Sequence, residues 1–174
     1  DYSNDLMVRS NANFVRWMHV TPWKQDVESC DRVGLIQAMP AGDSEKDREG
    51  RQWEQRTELM RDAIIYNRNN PSILFYECGN NSISRDHMLD MKAIRDKYDP
   101  FGGRAIGSRE MLDIREAEWG GEMLYINKSA HHPMWAMEYC RDEGLRKYWD
   151  DYSYPYHKDG DGSNSYKSTV TNKV

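Results

Sequence analysis

Short apolar runs alternate with amphipathic stretches along most of this chain, and this alternation limits the fold more than any other feature. Between the runs, apolar residues recur at helical spacing, at Trp23, Val27 and Cys30, at Trp53, Met60 and Ile64, and at Met88, Met91, Ile94 and Tyr98. Gly34 is expected to end the first of these helices, Ser84 to cap the last, and Pro40 to stop the strand that follows the first helix. Strand and helix in alternation indicate a parallel sheet with helices packed on it. The six predicted strands lie at residues 13–17, 35–39, 73–78, 104–107, 124–127 and 134–137.

Two parallel architectures fit this order, a doubly wound sheet and a (β/α) barrel. The chain has neither a G-x-G-x-x-G nor a G-x-x-x-x-G-K-[ST] sequence, which removes the usual phosphate-binding case for the doubly wound sheet. A complete barrel has eight strands and typically about 250 residues, whereas this chain has 174 residues. We therefore expect an α/β fold, an incomplete (β/α)8 TIM barrel over residues 1–156, followed by a polar tail over residues 157–174.

Composition excludes several classes of function. A formal net charge of −5 gives no indication of a basic surface for nucleic acid. The chain has no apolar run of 18 residues, so no membrane span is predicted. Cys30, Cys78 and Cys140 are widely spaced and are expected to be reduced and buried. No metal site or cofactor is predicted. Export is undecided, with a periplasmic or secreted location favoured over a cytoplasmic one, and a homo-oligomer is compatible with the sequence.

Two of the predicted strands end in polar groups. The run at 73–78 leads into Gly79-Asn80-Asn81, and the run at 134–137 leads into Glu138. Active sites of TIM barrels lie where the carboxyl ends of the strands meet. These two strand ends are therefore the candidates for an active site.

Four segments in order resemble motifs of glycoside hydrolase family two, which includes β-galactosidases, β-glucuronidases and β-mannosidases. Together they cover about residues 6–150. In that family the third motif ends in Gly-Asn-Glu, where this chain has Gly79-Asn80-Asn81. The segments are Asn13-Phe14-Val15-Arg16 with His19, Cys30-Asp31-Arg32-Val33-Gly34-Leu35, Arg68-Asn69-Asn70-Pro71-Ser72-Ile73 with Gly79-Asn80, and Glu138-Tyr139.

The resemblance implies a retaining exo-β-glycosidase of carbohydrate breakdown, with β-galactosides as the expected substrates. In the family, β-sandwich domains precede the barrel, its fourth strand supplies the acid/base and its seventh the nucleophile. The resemblance therefore implies that the six predicted strands are the second to the seventh of the barrel, and that the parent chain also carries the β-sandwich domains. By this resemblance Glu138 is the nucleophile, Asn80 binds the sugar 2-hydroxyl, and Arg16 orients the nucleophile. For Glu138 and Arg16 the alternative is a structural ion pair.

Asn81 breaks the family pattern. Retaining hydrolysis needs two carboxyl groups about 5–5.5 Å apart, and an amide at the acid/base position cannot transfer a proton. Either catalysis is lost or impaired, or another acid is recruited. Glu110, after the predicted strand at 104–107, is the preferred replacement, because Glu77 lies too far back along its own strand.

Aromatic and imidazole side chains complete the expected sugar site. Trp119, expected in a loop with Gly120-Gly121, and Trp135 are candidate platforms for a pyranose ring, although most Trp residues in such folds are core. His19 and His132 are candidate partners of sugar hydroxyls, with a structural role equally open for each. Two rival functions remain: a non-catalytic carbohydrate-binding relative that lost the proton donor, and an unrelated α/β domain that binds a small molecule.

Overall fold

The computed structural model describes residues 1–17, 20–42, 46–111, 113–122 and 133–136. Four helices and six strands lie within these ranges. The helices are α1 (Tyr2–Arg9), α2 (Lys24–Val33), α3 (Gly50–Asn67) and α4 (Arg85–Tyr98). The strands are β1 (Phe14–Arg16), β2 (Ile36–Pro40), β3 (Ile73–Glu77), β4 (Ala105–Arg109), β5 (Trp119–Glu122) and β6 (Met134–Ala136).

The six strands form one parallel sheet in which each strand pairs with the next along the chain. Phe14 on β1 and Trp135 on β6 belong to the first and last of these strands, yet their rings stack with centroids 5.4 Å apart. In a flat sheet, five strand spacings would separate them by about 24 Å. The sheet is therefore curled into a half-barrel, which confirms an incomplete TIM-like barrel and is incompatible with a doubly wound sheet. That β1–β6 correspond to the second to seventh barrel strands stays a prediction.

The outer face of the sheet carries the larger core. Helices α2, α3 and α4 pack there against side chains that point outward from β2, β3 and β4. Cys30 and Cys78 are free thiols buried in this region, and desolvation raises the pKa of Cys30 to about 11. The buried residues of this core include Val27, Met39, Met60, Ile64, Tyr76, Met88, Met91 and Ile106.

The inner face carries a second, aromatic core. Phe75 and Trp119 are almost fully buried and pack with Ala38, and Phe14 and Trp135 complete the cluster. Phe75 contacts all three other rings, with centroid distances of 4.5–5.6 Å. This aromatic layer fills the inside of the curl, as stacked side chains fill a TIM barrel.

Local signals explain most boundaries. Gly34 ends α2 with φ 77, and the hydroxyl of Ser84 accepts the backbone N–H of His87 at 3.2 Å, so both predicted caps are confirmed. Pro40 was expected to stop β2 but is its last residue, because the ladder resumes one residue later through Ala41 N–H to Glu77 O at 2.8 Å. Helix α1 was not predicted.

The fifth strand differs most from expectation. It lies at Trp119–Glu122, whereas the sequence predicted a strand at residues 124–127. Residues 124–127 are outside the described residues, and so is the predicted boundary between barrel and tail at residue 156. Its Trp-Gly-Gly-Glu sequence has little strand propensity, and pairing with β4 creates the strand.

Across the part of the chain that the structure describes, no helix is both long and apolar enough to cross a membrane.

Candidate active site

A polar layer lies directly above the aromatic layer, at the carboxyl ends of the strands. Arg16 and Glu77 follow Phe14 and Phe75 by two residues on their strands, and Arg109 follows Ala105 by four on β4. Side chains two or four apart on a strand share a face, so all three point into the curl. This placement puts charged groups where TIM barrels hold their active sites.

Arg16 and Glu77 form an ion pair between β1 and β3. Arg16 Nε donates to Glu77 Oε2 at 2.8 Å, and its Nη2 donates to Glu77 Oε1. The two side chains are only 5% and 2% exposed, a setting in which a charge needs a partner. The sequence left open whether Arg16 pairs with a neighbouring carboxylate, and it does. Its predicted contact with Glu138 involves a residue outside the described ranges.

Asn80 is fixed by the same arginine. Arg16 Nη2 donates to Asn80 Oδ1 at 2.8 Å, and a guanidinium has no acceptor, so the amide oxygen must face Arg16. The amide nitrogen Nδ2 therefore points away from the ion pair with its two hydrogens. This orientation suits donation to a sugar hydroxyl.

Asn81 and Glu110 meet at a second arginine. Arg109 Nη2 lies 2.6 Å from Asn81 Oδ1 and 3.3 Å from Glu110 Oε1. The side chain of Arg109 is 8% exposed, whereas that of Glu110 is 47% exposed. The structure thus brings the two residues that the sequence named for proton transfer to one guanidinium nitrogen.

The backbone around this arginine is closely tied. Ser108 Oγ lies 2.6 Å from Gly79 O and 2.7 Å from Asn81 O, which links the loop after β3 to β4. Glu110 has φ 62, a left-handed conformation that is uncommon for a residue with a β-carbon, and its N–H donates to Gly121 O at 2.7 Å. Strained non-glycine residues cluster at functional sites.

The predicted tryptophans lie lower in the curl. Trp119 is in strand β5 and 1% exposed, not in a loop, because its indole ring is covered by Phe75 and its Nε1 donates to Tyr76 O at 3.1 Å. Trp135 is in β6, half-buried and stacked on Phe14. Both tryptophans belong to the aromatic layer beneath the polar groups. Glu138, His19 and His132 lie outside the described residues.

Sequence reasoning missed Arg109 and the role of Glu77. The predicted fourth strand ended at Gly107, two residues before Arg109, and following the strand period for one more step would have placed Arg109 on the inner face. The position of Glu77 in its strand predicts a poor proton donor, and its buried ion pair gives it a different role, as the partner of Arg16.

One group of side chains in the described part of the chain has the composition of a cation site. Asp47, Glu49 and His87 offer ligand atoms within 4.8 Å of one another near the start of α4. His87 Nδ1 already lies 2.7 Å from Asp47 Oδ1, and its ring stacks on Trp53. These contacts join the loop at residues 46–49 to α4, and they explain the cluster without a metal.

Comparison with known proteins agrees with the motifs. No model of a known protein family matches the chain. The curated β-glucuronidase of Formosa agariphila is 31% identical over 156 residues, which are 86% of this chain and 16% of that protein. The solved structure of a β-glucuronidase from glycoside hydrolase family 2 superposes with a TM-score of 0.69 at 29% identity, over 77% of this chain and 15% of the other.

A more distant solved structure shares the fold. The family 2 β-galacturonidase of Eisenbergiella tayi, bound to galacturonate, has a TM-score of 0.60 at 19% identity, over 86% of this chain and 27% of the other. The chain thus spans less than a third of each of these relatives. The ordered motifs, the curled parallel sheet and these similarities together show that the chain belongs to glycoside hydrolase family 2.

Proposed function

We propose that this chain is part of the catalytic barrel of a retaining exo-β-glycosidase that removes terminal β-linked hexuronic acids. Among these substrates we expect β-glucuronides to be preferred. The observation that carries the proposal is the polar layer at the carboxyl end of the half-barrel, in which Arg16 and Arg109 orient Asn80 and Asn81. The names of the similar proteins favour uronides. The galactosides expected from the sequence have no support among them.

The first chemical step uses Glu138 as the nucleophile. A carboxylate oxygen of Glu138 attacks the anomeric carbon, the bond from that carbon to the leaving oxygen breaks, and its electron pair stays on the leaving oxygen. A protonated acid supplies the proton that this oxygen takes up. The product of the step is a glycosyl ester on Glu138.

The second step releases the sugar. Water attacks the anomeric carbon of the ester, gives its proton to the carboxylate that served as the acid, and the bond to Glu138 breaks. Both steps need one group that is protonated in the first and ionised in the second. Asn81 cannot cycle in this way, because an amide neither ionises nor becomes protonated near neutral pH.

We infer that Glu110 is the group that cycles. It is half-exposed, so water reaches it, and it contacts the same Arg109 nitrogen as Asn81 does. Its carboxyl group therefore lies beside position 81, where the family has its acid/base, and can replace that acid. General acid–base catalysis contributes about 10²–10⁴-fold, which is the range expected for loss of this group.

Asn80 contributes to binding in the transition state. With its oxygen held by Arg16, its Nδ2 hydrogens are directed to donate to the sugar 2-hydroxyl, a contact that strengthens as positive charge develops at the anomeric carbon. Asn80→Ala is therefore expected to lower kcat more than it raises KM.

The test uses the full-length protein and aryl β-glycosides with a 2,4-dinitrophenyl leaving group. We expect β-glucuronide or β-galacturonide to be hydrolysed faster than β-galactoside, and mass spectrometry of a 2-fluoro-sugar reaction to find one added sugar on Glu138. Glu138→Gln should abolish the labelling. Glu116→Gln, at a carboxylate that pairs with Arg85, should not change it. Faster turnover of galactoside would contradict the uronide assignment.

A second candidate is a carbohydrate-binding relative without catalysis, and Asn81 is the observation that favours it. A pure binder would leave Glu138 unmodified by the fluoro-sugar while still binding glucuronic acid in calorimetry. Labelled Glu138 with turnover of the dinitrophenyl substrate excludes this candidate.

A further inference from the structure

We propose that Arg109 is the positioning residue of the proton-transfer group, holding Glu110 and Asn81 in complementary roles. The proposal rests on the proposed function and assigns Arg109 a part in the same reaction. One guanidinium nitrogen, Nη2, contacts both Asn81 Oδ1 and Glu110 Oε1. That nitrogen carries two hydrogens, so it has one for each oxygen.

Arg109 is well fixed for such a role. It ends strand β4 in register with Gly121 of β5, and its side chain is 8% exposed. Its neighbour Ser108 bridges to the carbonyl oxygens of Gly79 and Asn81, so the loop that carries Asn81 is tied to the strand that carries Arg109. The distance between the guanidinium and the Asn81 amide is therefore set by two adjacent links.

This geometry assigns an orientation to Asn81. Because arginine only donates, the amide oxygen of Asn81 faces Arg109, and its Nδ2 hydrogens face away from the guanidinium. Asn81 then donates a hydrogen bond to the leaving oxygen without giving up a proton. Transfer of the proton itself is left to Glu110.

Glu110 is brought to the site by backbone strain and by charge. Its left-handed φ of 62, held by the N–H bond to Gly121 O, turns the chain immediately after Arg109. A second carboxyl at position 81 would place two like charges on the Arg109 guanidinium, which disfavours ionisation of both. The amide at position 81 and the acid at 110 thus form a matched pair around Arg109.

The test compares two substrates that differ in their need for a proton. Departure of 2,4-dinitrophenolate needs little acid assistance, whereas phenolate needs much. For Arg109→Met we expect kcat/KM on phenyl β-glucuronide to fall about 10²-fold and on the dinitrophenyl substrate less than about 3-fold. Arg109→Lys, which keeps the charge, should recover part of the phenyl activity.

The ratio of the two activities is measured on one sample, so it does not depend on how much of a variant is folded. Arg109→Met should add little to the defect of Glu110→Gln, because the two residues act as a unit. Equal losses on both substrates, or losses that multiply in the double variant, would overturn the positioning role. If the unaltered protein hydrolyses neither substrate and Glu138 stays unlabelled, the proposed function fails, and this inference with it.

Discussion

Asn81 contacts a guanidinium, and this contact decides what a restored glutamate would do at that position. In Asn81→Glu, the new carboxylate would replace an amide oxygen 2.6 Å from Arg109 Nη2. A carboxylate at position 81 would compete with Glu110 for the Arg109 guanidinium and would weaken the contact that positions Glu110. We expect kcat/KM on phenyl β-glucuronide to stay level or fall. A rise of about 10²-fold would show that position 81, not Glu110, transfers the proton.

Asp31 shows how a single carboxylate connects α2 to the strand that carries the site. Its oxygens accept Ser72 N–H at 3.0 Å, the Ser72 hydroxyl, and Asn70 Nδ2 at 2.5 Å. Burial alone would raise the pKa of Asp31, but these hydrogen bonds outweigh it and lower the pKa below its usual 3.8.

A lowered folded-state pKa gives Asp31 a stability contribution that is present above about pH 4 and is lost as the pH falls through the folded value. Asp31→Asn should therefore cost about 1 kcal/mol at pH 7 and less at pH 3. Urea unfolding at the two pH values measures the difference. An equal cost at both would contradict an ionic role for Asp31.

At the scale of elements, the contact between β4 and β5 depends on a missing side chain. A β-carbon added to Gly107 would lie 2.2 Å from Trp119 O and 2.9 Å from the indole ring. The backbone oxygen cannot move without breaking the strand pairing, so we expect Gly107→Ala to destabilise the fold by about 2–3 kcal/mol.

Gly103→Ala is the matched control for that substitution. Gly103 lies just before β4 with nothing within 4 Å, and its φ of 66 adds only the cost of a left-handed alanine, about 1 kcal/mol. Chemical denaturation of both variants gives the comparison. An equal loss of unfolding free energy in both variants would show that the close approach of Trp119 to Gly107 does not affect stability.

The sequence predicted best the elements whose apolar residues recur with the spacing of a helix or form a short apolar strand. Helices α2, α3 and α4 have apolar residues at helical spacing, and strands β1 to β3 are short apolar runs. Strand β5 has two glycines and becomes a strand through its neighbours, so no local pattern predicts it. The contacts of Arg109 were missed for a related reason: they join the end of β4 to the loop after β3, and a tertiary arrangement of this kind has no sequence period.

At the scale of the whole molecule, the order of the elements and the chain length predicted the partial barrel, and the ordered motifs predicted the family. The described motifs lie on strand β1, at the two passages from a helix into the next strand, and just after β3. They also predicted that Arg16 and Asn80 belong to one site, and the two side chains are hydrogen-bonded. The motifs could not predict which partner each polar group takes. Burial decides that, as for Arg16, whose charge inside the curl is paired with Glu77.

The half-barrel has open sheet edges within the described ranges, and these edges favour association of the chain with copies of itself. Within the described ranges β1 pairs only with β2 and β6 only with β5, so each has one free edge, and the half-buried rings of Phe14 and Trp135 lie beside these edges. Unpaired parallel edges beside apolar surface favour edge-to-edge association. We expect residues 1–174 expressed alone to form soluble oligomers or aggregates in size-exclusion chromatography with light scattering, and to bind a hydrophobic dye. A monomer with one cooperative melting transition would mean that residues outside the described ranges cover both edges.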